Sequence, residues 1–113
     1  MSKTKLPDAL ARRHLLEGTL DAKKARAIAE AYLEQDREID AIDFLKQADA
    51  KDELQRLQNA AIERGDVFLM KAASSALGVE PAAQTWRDLA SAATANGRER
   101  DAESAARLAT VDG

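Results

Sequence analysis

Apolar residues recur along this chain at three- and four-residue intervals, broken by short polar stretches in which most of the five glycines and two prolines fall. That spacing is the mark of amphipathic helices. Pro7 can open a first helix over Asp8 to Glu17, with Leu10, Ala11, His14 and Leu15 as its apolar side and Gly18 as its stop. Thr19 or Asp21 can cap a second, which carries Ala22, Ala25, Ile28, Ala29, Tyr32 and Leu33 on one face and ends near Asp36. A third, Glu38 to Asp49, shows Ile39, Ile42 and Leu45 on one stripe with Ala41, Phe44 and Ala48 beside it, a width that predicts packing on two sides.

The fourth helix, Lys51 to Arg64, carries Leu54, Leu57, Ala61 and Ile62 and ends at Gly65. Asp66 is the expected N-cap of a fifth, Val67 to Leu77, closed by Gly78. A sixth runs from Pro81 through Trp86, Leu89, Ala90 and Ala93 to Asn96, and a seventh from Arg98 to about Thr110. No stretch alternates with period two, so the expected class is all-α. The short connections force successive helices to turn back on one another as antiparallel hairpins.

A period underlies these elements. Ala25, Ile28, Ala29, Tyr32, Ala41, Leu45 and Ala48 are followed, each 61 positions later, by Trp86, Leu89, Ala90, Ala93, Ala102, Ala106 and Ala109. Between them Leu54, Leu57 and Ala61 repeat the first-helix spacing. The middle second helix fits at two shifts, through Leu69, Ala73 and Ala76 or through Met70 and Leu77. One hairpin cannot bury its own apolar face, so about three are needed for stability. The expectation is one helical-repeat domain over 1–113, with a flexible N-terminus at 1–6, an extra helix at 7–18 and hairpins at 20–49, 51–78 and 81–110.

The stretch from Trp86 to Ala109, WRDLASAATANGRERDAESAARLA, and then that from Ala25 to Ala48, ARAIAEAYLEQDREIDAIDFLKQA, resemble the tetratricopeptide repeat family. Its signature is an aromatic, a Leu with a small residue, a second aromatic, and an Ala-x3-aromatic-x2-Ala second helix. The likeness covers roughly residues 20 to 110. Three features depart from it: spacings near 29 and 32 where the family has about 34, no proline after the first hairpin, and Leu45 and Ala106 where a larger aromatic is usual. Other helix-hairpin solenoids therefore stay open.

The resemblance implies a TPR-like α-solenoid of about three hairpins whose groove is lined by first-helix residues facing away from the hairpin partner. These are Lys23, Arg26, Glu30 and Leu33, then Asp52, Gln55, Asn59 and Ile62, then Gln84, Arg87, Ser91 and Thr94. Lys23, Arg26, Asn59 and Arg87 suit the carboxylates and backbone of an extended acidic segment, with Leu33 and Ile62 as apolar contacts. Glu30 stands where the family's chaperone-tail clamp needs an Asn, so that ligand is not expected.

Composition narrows the function classes. The 113 residues suffice to bury roughly two-thirds of the unfolded surface. Aromatics make up only 4%, so Ala, Leu and Ile carry the apolar share and helices can approach closely. The absence of cysteine excludes disulfides and thiolate chemistry, and a single histidine excludes a multi-histidine metal site. A net charge of −3 and a pI near 5.2 argue against general nucleic-acid binding. The longest apolar run, Val67 to Met70, is far below the ~20 residues of a membrane span. The N-terminus lacks the apolar region of a signal peptide, and the expected location is the cytoplasm.

Carboxylate pairs such as Asp40 with Asp43 or Asp52 with Glu53 read as solvated helix faces in the absence of a histidine partner or glycine-rich loop. His14 reads as a surface or packing residue, Trp86 and Met70 as core. The basic cluster of Arg12, Arg13, Lys23, Lys24 and Arg26 can attract an acidic peptide, but a solvated face with pairs such as Arg26 to Glu30 is the preferred reading.

Three function classes follow. A non-catalytic protein-interaction or scaffold module leads, with no cofactor and no metal and with a protein or peptide as partner. A nucleic-acid-associated helical regulator is the alternative, because tightly joined short helices imitate a helix-turn-helix. An enzyme comes last, for want of a nucleophile-base or metal constellation. The alanines of the last helix, Ala102, Ala105, Ala106 and Ala109, with Leu108, leave a homodimer open.

Overall fold

The computed structural model describes residues 6–18 and 20–111, so residues 1–5 of the expected flexible N-terminus and the alternative cap Thr19 lie outside the described residues. Among the described residues seven helices form and no strand. They are α1 (Ala9–Glu17), α2 (Ala22–Glu34), α3 (Glu38–Gln47), α4 (Lys51–Arg64), α5 (Val67–Leu77), α6 (Ala83–Ala95) and α7 (Glu99–Val111). Three begin at an aspartate cap. Asp8, Asp21 and Asp66 accept from the backbone N–H of Ala11, Lys23 and Leu69 at 2.8, 2.9 and 3.1 Å, relieving donors that the first turn leaves unpaired. Pro7 and Pro81 lie just before the helices they were expected to open.

What ends the helices is more telling. Backbone φ is positive at Asp36 (58°), Asp49 (54°), Gly65 (74°), Gly78 (72°) and Gly97 (75°). At each, the following residue's N–H bonds back to a carbonyl five residues earlier: Arg37 to Tyr32, Ala50 to Leu45, Asp66 to Ala61, Val79 to Ser74 and Arg98 to Ala93, at 2.8–3.0 Å. This is the Schellman closure. Asp36, Gly65 and Gly97, which end the first helix of each pair, stand 29 and 32 positions apart, and Asp49 and Gly78 again 29 apart. The sequence period is therefore also a period of backbone geometry. It selects the shift that pairs Met70 and Leu77 with Ala41 and Ala48.

The chain forms two compact units, Met1–Leu54 and Gln55–Gly113, with the boundary inside α4. In the first unit α2 and α3 pack as a hairpin and α1 packs on α3. Ala25, Ala29, Tyr32, Ala41, Ile42, Phe44 and Leu45 are buried. Tyr32 and Phe44 stack with ring centres 5.7 Å apart. The predicted faces need three corrections. Ala22 is exposed, because the first turn of α2 extends beyond the buried stripe that starts at Ala25. Ile39 is 39% exposed, because the buried side of α3 runs through Ala41, Phe44 and Leu45. Helix α1 buries none of its residues: Leu10, Ala11 and His14 are exposed, and it turns Arg12 toward α3.

In the second unit α6 and α7 form a hairpin and α5 also packs on α7. Trp86, Leu89, Ala93, Ala105 and Ala109 are buried, whereas Ala106 is exposed. Helices α4 and α6 meet at their C-terminal ends. There Gly65 lies against the backbone of Ala93, and the Asn96 side chain donates to the last carbonyls of α4, Glu63 at 3.2 Å and Arg64 at 3.1 Å.

The middle repeat breaks the size pattern and repairs it. Gln58 occupies the position of the small residues Ala29 and Ala90, and Ser74 that of Leu45. Ser74 is 2% exposed, and its hydroxyl accepts from Gln58 Nε2 at 3.0 Å. A large polar side chain is thus matched to a small polar one. Gln58→Ala is expected to cost about 2 kcal/mol by leaving the buried hydroxyl unpaired. Adding Ser74→Leu, which restores the first repeat's combination, is expected to recover at least about 1 kcal/mol of that loss. Urea denaturation of the two single variants and the double variant measures both.

Candidate interaction surfaces

Helical spacing turns the predicted groove residues outward wherever the opposite side of the helix is buried. On α2, Lys23 and Glu30 are exposed and Arg26 and Leu33 half-buried, against buried Ala25, Ala29 and Tyr32 behind them. Arg26 is not an idle charge. It bonds the Asp52 carboxylate at 3.1 Å and lies 3.8 Å from Glu30, the pair expected from spacing. The bond from Arg26 holds the Asp52 carboxyl below the usual aspartate range, and Asp52 in turn raises the Arg26 guanidinium. Arg26 therefore ties α2 to the first turn of α4 within its own unit.

In the second unit Gln55 and Asn59 of α4 are exposed and Ile62 is half-buried. On α6, Gln84, Arg87, Ser91 and Thr94 are all exposed. A local network runs along α6: Arg87 donates to the Gln84 side-chain Oε1 at 3.1 Å, and Gln84 Nε2 donates to the Asp88 carboxylate at 2.8 Å. Thr94 is satisfied by the Ala90 carbonyl at 3.1 Å. Because α4 and α6 touch at Gly65 and Ala93, Asn59 and Ile62 share the C-terminal half of this helix pair with Ser91 and Thr94.

The other candidates separate clearly. His14 is exposed, and Trp86 and Met70 are buried at 5% and 2% exposure. Trp86 also borders an open depression of about 450 Å³, lined among others by Lys71, Ser75, Val79, Glu80 and Leu108. Asp40 and Asp43 lie on a solvated helix face, as expected, and each is also paired: Arg37 bonds Asp40 at 2.9 Å and Arg12 bonds Asp43 at 3.2 Å. Of the basic cluster, Arg12, Arg13 and Arg26 have carboxylate partners, and Lys23 and Lys24 are exposed.

One exposed aromatic escaped the sequence reading. Phe68 is 66% exposed, and Val79 is 48% exposed. The signal was the run Val67 to Met70: four consecutive apolar residues cannot all face inward on a helix. Val67, Leu69 and Met70 are buried and Phe68 is left outside.

Among the described residues no group of His, Cys, Asp or Glu side chains is arranged to hold a metal ion, and no helix is long and apolar enough to cross a membrane. Comparison with known proteins adds no relative: no family model, no curated protein and no solved structure matches the chain.

Proposed function

We propose that the chain is a non-catalytic helical-repeat module of the cytoplasm that binds a protein or peptide through the outward faces of its first helices. The observation that carries this reading is the contrast across α4 and α6. Leu54, Leu57, Ala61, Trp86, Leu89 and Ala93 are buried, while Gln55, Asn59, Gln84, Arg87, Ser91 and Thr94 present hydrogen-bonding groups to solvent beside half-buried Ile62. Such a surface offers amide, hydroxyl and guanidinium groups to the backbone and carboxylates of an extended segment. In the first unit, α2 separately presents exposed Lys23 and Glu30 and half-buried Leu33.

Arg87→Glu is the cleaner probe, because Arg26→Glu would also break the bond to Asp52. Affinity capture from the native source with wild-type, Arg87→Glu and Asn59→Ala chains is expected to lose the same partners in both variants. Capture unchanged in both would remove the first-helix faces as the binding surface. Salt-dependent binding to duplex DNA at near-physiological salt would favour the nucleic-acid reading instead.

A further inference from the structure

Helix α1 is held to its unit mainly by polar contacts. It buries none of its residues, and Leu10 is 64% exposed. Its main anchor is one guanidinium. Arg12 Nη2 donates to the Asp40 carbonyl at 2.9 Å and to the Asp43 carboxylate at 3.2 Å. The same group lies over the stacked aromatic pair, 5.3 Å from the Phe44 ring centre and 5.8 Å from that of Tyr32. Gln47 adds one bond, from its amide to the Leu16 carbonyl at 3.0 Å. Beside this seam lies an open depression of about 510 Å³ lined by Leu16, Asp43, Lys46 and Gln47, so the two helices are not closely packed there.

These contacts make a weak anchor. The Asp43 side chain is 58% exposed, so water competes with Arg12 for it. Arg12 Nε is buried without a partner, a loss that ends when α1 leaves and the nitrogen returns to water. Of the apolar side chains of α1 only Leu15 and Leu16 are even half-buried, and they offset part of that loss. Segments with few buried contacts open locally at low free energy.

We propose that α1 is an exchangeable cap over an arginine-accepting site, and that an arginine-bearing helical segment of a partner protein takes its place there. The site is the stacked faces of Tyr32 and Phe44, edged by the Asp43 carboxylate and the Asp40 carbonyl. Its chemistry selects arginine over lysine. A planar guanidinium lies on the rings and donates at its edge at the same time, whereas an ammonium has no flat face to lay on them. Arg37, fixed by Asp40 and 5.0 Å from the Tyr32 ring centre, stays in place when α1 departs. The proposal does not rest on the reading of the first-helix faces.

The probe is a labelled synthetic peptide with the sequence from Asp8 to Gly18, titrated by fluorescence anisotropy into full-length wild-type and Arg12→Ala protein. The peptide is expected to bind the variant about tenfold more tightly, because the variant's own α1 no longer competes. A peptide carrying Arg12→Lys is expected to bind more weakly than the parent, and one carrying Arg12→Ala not at all. In wild-type protein, hydrogen exchange of α1 amides is expected to be about 100-fold faster than in α2 and α3. Four results each overturn the proposal: equal or absent binding to the two proteins, undiminished binding of the alanine peptide, α1 protection matching that of α3, or loss of helical circular dichroism in Arg12→Ala protein. The last would make α1 part of the core.

Discussion

Gly65→Ala is expected to destabilise the protein by about 3 kcal/mol or more and to lower its thermal midpoint by on the order of 10 °C. Two independent effects add. At φ 74° the backbone is left-handed, which costs an L side chain roughly 1–2 kcal/mol. A methyl group there would also fall inside contact distance of the Ala93 backbone, which cannot swing aside as a side chain can. Overpacking of this kind costs typically 1–3 kcal/mol. Gly97→Ala separates the two effects, because φ is 75° but nothing lies within 4 Å of the added carbon. Its expected cost is about 1–2 kcal/mol. Equal losses in the two variants, measured by thermal and urea denaturation, would mean that α4 and α6 do not meet at Gly65.

Tyr32→Ala is expected to cost about 4 kcal/mol. The ring is 1% exposed, so its removal forfeits its transfer free energy and leaves a cavity, together about 3–5 kcal/mol for a large aromatic. It also dismantles the stack on Phe44 and the seats of Arg12 and Arg37. Tyr32→Phe keeps the stack and is expected to retain most of the stability. A change near zero on chemical denaturation of the alanine variant would mean that the aromatic pair is not the centre of the first unit.

Helix positions were legible because glycine, proline and aspartate punctuate long stretches with helical spacing, and that spacing is set by side chains near in sequence. The docking side of α1 was not legible. On a nine-residue helix the apolar side seen in the sequence, with Leu10, Ala11, His14 and Leu15, is too small to outweigh a guanidinium over two rings with a carboxylate beside it. The left-handed turns at Asp36 and Asp49 carry no glycine, so punctuation alone hides them. Aspartate tolerates that conformation, and the signal lay in their repeat-equivalent glycines, Gly65 and Gly97 for Asp36 and Gly78 for Asp49.

Gln58 and Ser74 were invisible for another reason: apolar patterning says nothing of one polar residue compensating another on a different helix. The first-helix surface residues were implied by the resemblance to tetratricopeptide repeats; periodicity by itself says only that residues opposite a buried stripe face outward. Neither tells which of them are engaged. The bond from Arg26 to Asp52 joins residues 26 positions apart, and only the fold brings them to 3.1 Å.

That one turn design recurs along the chain, at spacings of 29 and 32 residues, is tested most directly by solution NMR of the full-length protein. Three-bond HN–Hα couplings and Cα shifts report φ at Asp36, Asp49, Gly65, Gly78 and Gly97. Left-handed values at all five, with Asp36 and Asp49 matching their glycine counterparts, are the expected result. Right-handed helical values at Asp36 or Asp49 would carry one helix on into the next and contradict the repeat.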